Sequence, residues 1–207
     1  MWRAVYTIYC WILVVFAFVS FAITGFILWP TFKQKQEEYY NLSKKFLQVL
    51  FWLSGIKVTL NGAENLPEEN VLIVSNHQSL LDIIVLIAYF PKQITFFAKK
   101  ELKNVPVLGF ILIQMGHVLV DRAKGRKALQ QLDVIKTKLT EGRTVNIFPE
   151  GTRSKTGEIG AFKKGAFLLA YDTETPLVPC YIKGTGKTLP KNKMRITPSE
   201  ISITIES

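Results

Sequence analysis

Between residues 71 and 182, short apolar runs alternate with helical patterns, and no other feature limits the fold so tightly. Strands are expected at 71–74, 94–98, 118–120, 144–148 and 177–182, with helices at 79–90, 105–115, 126–140 and 163–171 between them. In the third helix Leu129, Leu132, Ile135 and Leu139 recur at three- and four-residue spacing, which gathers them on one face. Strands separated by helices cannot pair as simple hairpins; crossover connections join them into a largely parallel sheet. A weaker strand is expected at 57–61, and Ile201, Ile203 and Ile205 alternate like one more. The expectation for residues 55–207 is therefore an α/β domain: a single-layer, largely parallel sheet flanked by helices.

A different kind of segment comes first. No residue from Ala4 to Phe32 is charged. As a helix, residues 4–29 would be about 39 Å long, more than the roughly 30 Å hydrocarbon core of a bilayer. It carries no small-residue cleavage site behind a short apolar core, which argues against a removed signal peptide. Arg3 precedes it and Lys33 and Lys35 follow, and the heavier charge behind favours the cytoplasmic side for the rest of the chain. Next, Tyr39, Leu42, Phe46, Val49, Leu50 and Leu53 fall on one helical face until Gly55 offers a stop. That helix either packs on the following domain or pairs with the first segment against the membrane. Residues 1–54 thus read as a two-helix membrane anchor.

Composition excludes several classes. Cys10 lies in the apolar segment and Cys180 in an expected strand, so neither a disulfide framework nor a metal site is expected. Residues 55–207 carry 21 Lys and Arg against 14 Asp and Glu, and no acid lies between Glu174 and Glu200. A basic surface suits nucleic acid, anionic lipid or an acidic carrier protein. No nucleic-acid motif accompanies it, and the apolar segment next door makes membrane phospholipid the expected partner.

Polar residues collect where the strands end. His77 follows the first strand and precedes Asp82 by five residues. Lys99 ends the second strand, Asp121-Arg122 the third, and Phe148-Pro149-Glu150-Gly151-Thr152-Arg153-Ser154 the fourth. In parallel sheets ligands bind at the carboxyl ends of strands, so these groups are expected to converge on one crevice. An imidazole oriented by an acid removes a hydroxyl proton near neutral pH, and cations beside it suit a phosphate.

In these blocks the chain resembles the glycerol-phosphate and lysophospholipid acyltransferase family, and within it the 1-acyl-glycerol-3-phosphate acyltransferases. Asn76-His77-Gln78-Ser79-Leu80-Leu81-Asp82 is similar to its first block and Gly116-His117-Val118-Leu119-Val120-Asp121-Arg122 to its second. The run from Phe148 to Ser154 resembles the third, and Thr175-Pro176-Leu177-Val178-Pro179 the fourth. The resemblance implies a glycerol-phosphate acyltransferase-like fold. It implies transfer of a fatty acyl group from a coenzyme A or carrier-protein thioester to lysophosphatidate, with no metal and no bound cofactor. His77 would be the general base, Asp82 its orienting acid, and Arg153 with Glu150 and Gly151 part of the glycerol-phosphate site. Arg122 and Lys99 are added here as further phosphate contacts. His117 occupies a variable position and receives no role.

The first and third blocks also have a plainer reading. Ser79-x-x-Asp82 is a helix-start signal, with Ser79 as cap and Asp82 reaching back. Pro149 and Gly151 punctuate a turn in which Glu150 and Arg153 would be a surface pair worth little. Within the same family, an acyltransferase for another lysophospholipid or a transacylase is the rival. A membrane serine hydrolase using Ser79 or Ser154 is a rival chemistry, though no Gly-x-Ser-x-Gly elbow supports it. A lipid-binding module without catalysis is the non-enzymatic rival.

Overall fold

The computed structural model describes residues 2–27, 35–105, 107–120, 126–154 and 156–206. Helices α1 (Trp2–Ile27) and α2 (Gln36–Ser54) precede strand β1 (Val58–Asn61). There follow β2 (Leu72–Ser75), α3 (Leu81–Tyr89), β3 (Ile94–Thr95), β4 (Phe97–Lys99), α4 (Leu108–Gln114) and β5 (Val118–Val120). Then come α5 (Arg126–Thr140), β6 (Thr144–Ile147), α6 (Gly165–Thr173), β7 (Leu177–Lys183), the short α7 (Thr185–Thr188) and β8 (Ile201–Ile205).

Six strands form one sheet in the order β1-β8-β7-β2-β6-β3. Every pairing is parallel except β7 with β8. All four residues of β2 are buried, which explains its unbroken Leu72-Ile73-Val74 run: a central strand with both faces covered has no polar side. One face carries α3, backed by α2, in the larger apolar cluster. On the other, Leu72 and Val145 pack with Ile135 and Leu139 of α5 and Leu169 of α6.

The strand expected at 94–98 divides at Phe96. Ile94–Thr95 pairs with β6 in the main sheet, whereas Phe97–Lys99 pairs with β5 in a separate parallel ribbon. Phe96 is buried and donates its N–H to His117 Nδ1 (3.4 Å), while its carbonyl accepts the N–H of Val118. These bonds satisfy its backbone outside the main sheet, so the chain changes partners there.

The two N-terminal helices run antiparallel. At one end the hydroxyls of Tyr6 and Tyr9 donate to the carbonyls of Ser54 and Leu53; at the other, Phe21 packs on Tyr39 and Phe46. Gly55 ends α2 at φ 70°, a left-handed cap that needs glycine. α2 is also bound to the α/β layer. The Tyr40 hydroxyl accepts the N–H of Ile94, and Lys44 and Gln48 donate to the carbonyls of Phe90 and Ala88, the free end of α3. Anchor and domain, divided at residue 54 by composition, share one apolar core.

Candidate active site

The connections leaving β2 and β6 depart for opposite faces of the sheet, since α3 joins one apolar cluster and α6 the other. A crevice opens where neighbouring strands diverge in this way. His77 and Phe148 stand on its two sides, their rings stacked at 3.9 Å with 15° between planes.

The turn after β2 is built from its first residue. Asn76 is buried and behaves as an extra strand residue: its amide donates to the Ile182 carbonyl (2.8 Å) and its oxygen accepts the Ile182 N–H (2.7 Å). This pairing with β7 fixes the point from which His77 leaves the sheet. Asp82, in the first turn of α3, then reaches back. Its Oδ2 lies 2.8 Å from His77 Nδ1 and accepts the N–H groups of Gln78 (2.7 Å) and Ser79 (2.8 Å). A carboxylate on Nδ1 holds the proton there and leaves Nε2 as the basic nitrogen. His77 is partly exposed while Asp82 is wholly buried, so one ring edge faces solvent and the other is locked. One Asp82 oxygen therefore both caps the turn before α3 and holds the His77 ring.

The serines point elsewhere. Ser79 is fully buried; its hydroxyl donates to the Leu189 carbonyl (2.7 Å) and accepts the Leu81 N–H. The Ser154 hydroxyl accepts the Gly157 N–H at 3.0 Å. Neither hydroxyl bonds the His77 ring, which removes the alignment that a serine nucleophile requires.

The loop after β6 is tied to this turn. Glu150 is buried, and its two carboxylate oxygens accept the N–H groups of His77 (2.7 Å) and Gly160 (3.0 Å). The Ser154 N–H donates to the His77 carbonyl at 2.8 Å. Arg153 thus sits one residue from a direct bond to the histidine backbone, and its guanidinium forms no ion pair among the described residues. Gly151 has φ 71°, and a Cβ there would lie 2.7 Å from the Lys163 ammonium, so glycine answers both the turn and the approach. Lys191 donates to the Thr152 hydroxyl (3.2 Å) and to the Arg153 carbonyl.

The structure thus brings together His77, Asp82, Glu150, Gly151 and Arg153. Lys99 ends β4 in the separate ribbon, exposed and 3.3 Å from Glu101. Its ribbon still reaches the site through Phe96, whose ring stacks on Phe148 at 6.5 Å. Arg122 lies outside the described residues. Sequence reasoning gave no role to Asn76, Phe148, Lys163 or Lys191. The first two belong to recognised blocks, but the lysines carry no signal that separates them from the other surface lysines. His117 lies in the core beneath Phe96, where burial lowers its pKa to about 4, so it is a neutral structural group.

The acyltransferase family model matches residues 57–183. The 1-acyl-sn-glycerol-3-phosphate acyltransferase of Borreliella burgdorferi is 36% identical over 148 residues, 70% of this chain and 59% of that protein. The Saccharomyces cerevisiae enzyme of the same name is 39% identical over 144 residues, 68% of this chain and 48% of its own length. A probable 1-acyl-sn-glycerol-3-phosphate acyltransferase of Mycoplasma pneumoniae is 31% identical over 92% of this chain and 74% of that protein. The chain spans about half to three fifths of the first two relatives. The crystal structure of the 1-acyl-sn-glycerophosphate acyltransferase of Thermotoga maritima superposes with a TM-score of 0.83 at 28% identity, covering 99% of this chain and 84% of that one. Fold, family match and relatives agree, and the chain belongs to the acyltransferase family.

Proposed function

We propose that this protein transfers a fatty acyl group from a thioester to the sn-2 hydroxyl of lysophosphatidate, giving phosphatidate for phospholipid synthesis. The observation that carries the reading is the 2.8 Å contact between His77 Nδ1 and a wholly buried Asp82, with Nε2 left for a substrate hydroxyl. The acceptor hydroxyl attacks the thioester carbonyl as Nε2 takes its proton. The tetrahedral intermediate then collapses, the C–S bond breaks, and the imidazolium returns the proton to the departing thiolate. Asp82 stabilises the transient imidazolium. Because the acceptor is itself the nucleophile, Ser79 and Ser154 are free to hold the backbone, as they do. Of the N–H groups at 78–80, those of Gln78 and Ser79 are engaged by Asp82, so an oxyanion donor from this turn would be Leu80.

Arg153 is assigned to the phosphomonoester of the acceptor, where a guanidinium can hold two oxygens. Gly151 lets the backbone approach, and Glu150 keeps the two loops in register through His77 and Gly160. Arg122 and Lys99 join the phosphate cradle in this reading. The donor is an acyl-coenzyme A or an acyl-carrier protein.

The helix hairpin is assigned to the membrane. α1 is long and apolar enough to cross a bilayer: an 18-residue window within Trp2–Gly25 has a mean hydropathy of 2.2, with 17% of it buried. Yet α2 lines it from end to end and is itself packed on α3. A perpendicular crossing would drag Glu37, Glu38 and Lys45 into hydrocarbon, at a cost of several kcal/mol. The packing therefore supports a hairpin resting in one leaflet, and the heavier positive charge behind α1 is the ground for assigning the cytoplasmic face.

The test is direct: incubate the purified chain with lysophosphatidate and each donor, and follow thiol release and the mass of the lipid product. Phosphatidate with either donor is expected. Thiol release without it, or acylation of a different lysolipid in preference, overturns the substrate assignment.

A further inference from the structure

α1 carries a groove that the acyl-transfer site does not use. Trp2, Arg3 and Thr7 line one wall and Met194 and Arg195 the other, enclosing about 760 Å³. From Ile8 onward an exposed apolar face of α1 continues along Trp11, Ile12, Val15, Phe16 and Val19. The walls are fixed to each other: the Thr7 hydroxyl donates to the Ile196 carbonyl (3.0 Å) and the Trp11 indole to that of Met194 (2.6 Å). Arg3 and Arg195 are exposed and have no acidic partner among the described residues. A cleft with a doubly cationic head therefore adjoins, at Ile8, an apolar strip of α1.

We propose that this cleft binds one anionic phospholipid of the leaflet that receives the hairpin. The guanidinia of Arg3 and Arg195 would take the phosphate from opposite sides, and one acyl chain would lie along Ile8 to Val19. Two guanidinium forks suit tetrahedral phosphate oxygens better than point charges do. From Ile8 to Val19 the helix rises about 16 Å. That is close to half of the roughly 30 Å hydrocarbon core, the reach of one acyl chain. Trp2, stacked on Tyr6 at 5.6 Å, sits at the head of the cleft, where interfacial aromatics collect. No acid occurs in the chain before Glu37 or between Glu174 and Glu200, so neither arginine has an acid close to it in sequence.

The proposal rests on the hairpin placement above, and the experiment separates the two. The full chain is sedimented with phosphatidylcholine vesicles and, at the same ionic strength, with vesicles that also contain phosphatidylglycerol. Binding to the neutral vesicles reads the hairpin; its absence overturns the placement. The added binding to phosphatidylglycerol reads the cleft. Arg3→Gln with Arg195→Gln should lower that added binding about 10- to 30-fold while leaving neutral binding intact. Lys57→Gln with Lys103→Gln, an equal loss of charge elsewhere, should change it less than about two-fold. Arg3→Lys with Arg195→Lys keeps the charge and should still lose a large part, because the forks are gone. Equal losses in the two Gln pairs would reduce the effect to diffuse electrostatics and overturn the proposal. So would displacement by inorganic phosphate, which would make the ligand a soluble anion.

Discussion

Asp82 concentrates three hydrogen bonds on a single carboxylate oxygen, from His77, Gln78 and Ser79. Its loss should therefore act on both chemistry and fold. His77→Ala is expected to lower kcat by about 10²–10⁴ with the unfolding curve little changed, since a general base supplies a factor of that order. Asp82→Asn should lose much of the rate and about 1–3 kcal/mol of stability, as N–H donors then face an amide. Ser79→Ala should keep its turnover and lose about 1 kcal/mol in urea titrations; abolished chemistry there would revive a serine mechanism. Arg153→Ala should raise KM for lysophosphatidate roughly 10- to 150-fold, about 1.5–3 kcal/mol, and spare KM for the donor. An equal rise for both would place Arg153 in the scaffold. His117 makes a separate test. Burial depresses its pKa to about 4, so the folded state refuses a proton that the unfolded chain binds near 6.5. The stability of the neutral form is complete above pH 6.5 and is lost as pH falls towards 4, about 3 kcal/mol in all. His117→Asn keeps an acceptor for Phe96 and should narrow its stability gap to the parent by about 2–3 kcal/mol between pH 7 and 4.5.

Among the elements, the junction of β2 with β7 decides where the histidine stands. Asn76→Ala would strand the N–H and carbonyl of Ile182, both deep in the sheet. A loss of about 2–4 kcal/mol is expected, with a fall in kcat larger than any change in either KM, because the base moves while the phosphate site stays. Normal turnover in this variant would show that the turn holds itself. Much of this layer was legible from residues 71–205 alone. The limits of α5 and β5 agree with the local pattern, and so does the alternation of β8, since each rests on neighbouring residues. The His77–Asp82 pair was legible for the same reason: five residues and one turn contain it. What escaped is long-range. β8 lies between β1 and β7, a pairing without local signature, and Phe96 hands the chain between sheets through bonds to residues more than twenty positions away. Likewise, no property of Glu150 in sequence announces His77 and Gly160 as its partners.

For the molecule as a whole, the division that matters falls between α1 and α2. α2 contributes Tyr39, Tyr40 and Phe51 to the core beside Val85, Leu86 and Phe90. Burying each such aromatic is worth roughly 1.5–3 kcal/mol, so together they rival the net stability of a domain. A chain of residues 55–207 is therefore expected to lack a cooperative unfolding transition and to bind hydrophobic dye, despite holding every catalytic candidate. A chain of residues 35–207 keeps α2 and should unfold cooperatively. It loses the Cys10 and Phe21 packing of α1 and, with it, the outward face where Ile8, Ile12, Val15, Phe16, Val19 and Ile23 stand exposed. It should bind phosphatidylcholine vesicles only weakly and acylate lysophosphatidate slowly when that lipid is presented in them. Its remaining association should need anionic lipid and disappear at high ionic strength, because the basic surface of the α/β layer persists and salt screens it. Tight binding of residues 35–207 to neutral vesicles, with full turnover, would move the membrane contact from α1 to the domain that holds His77.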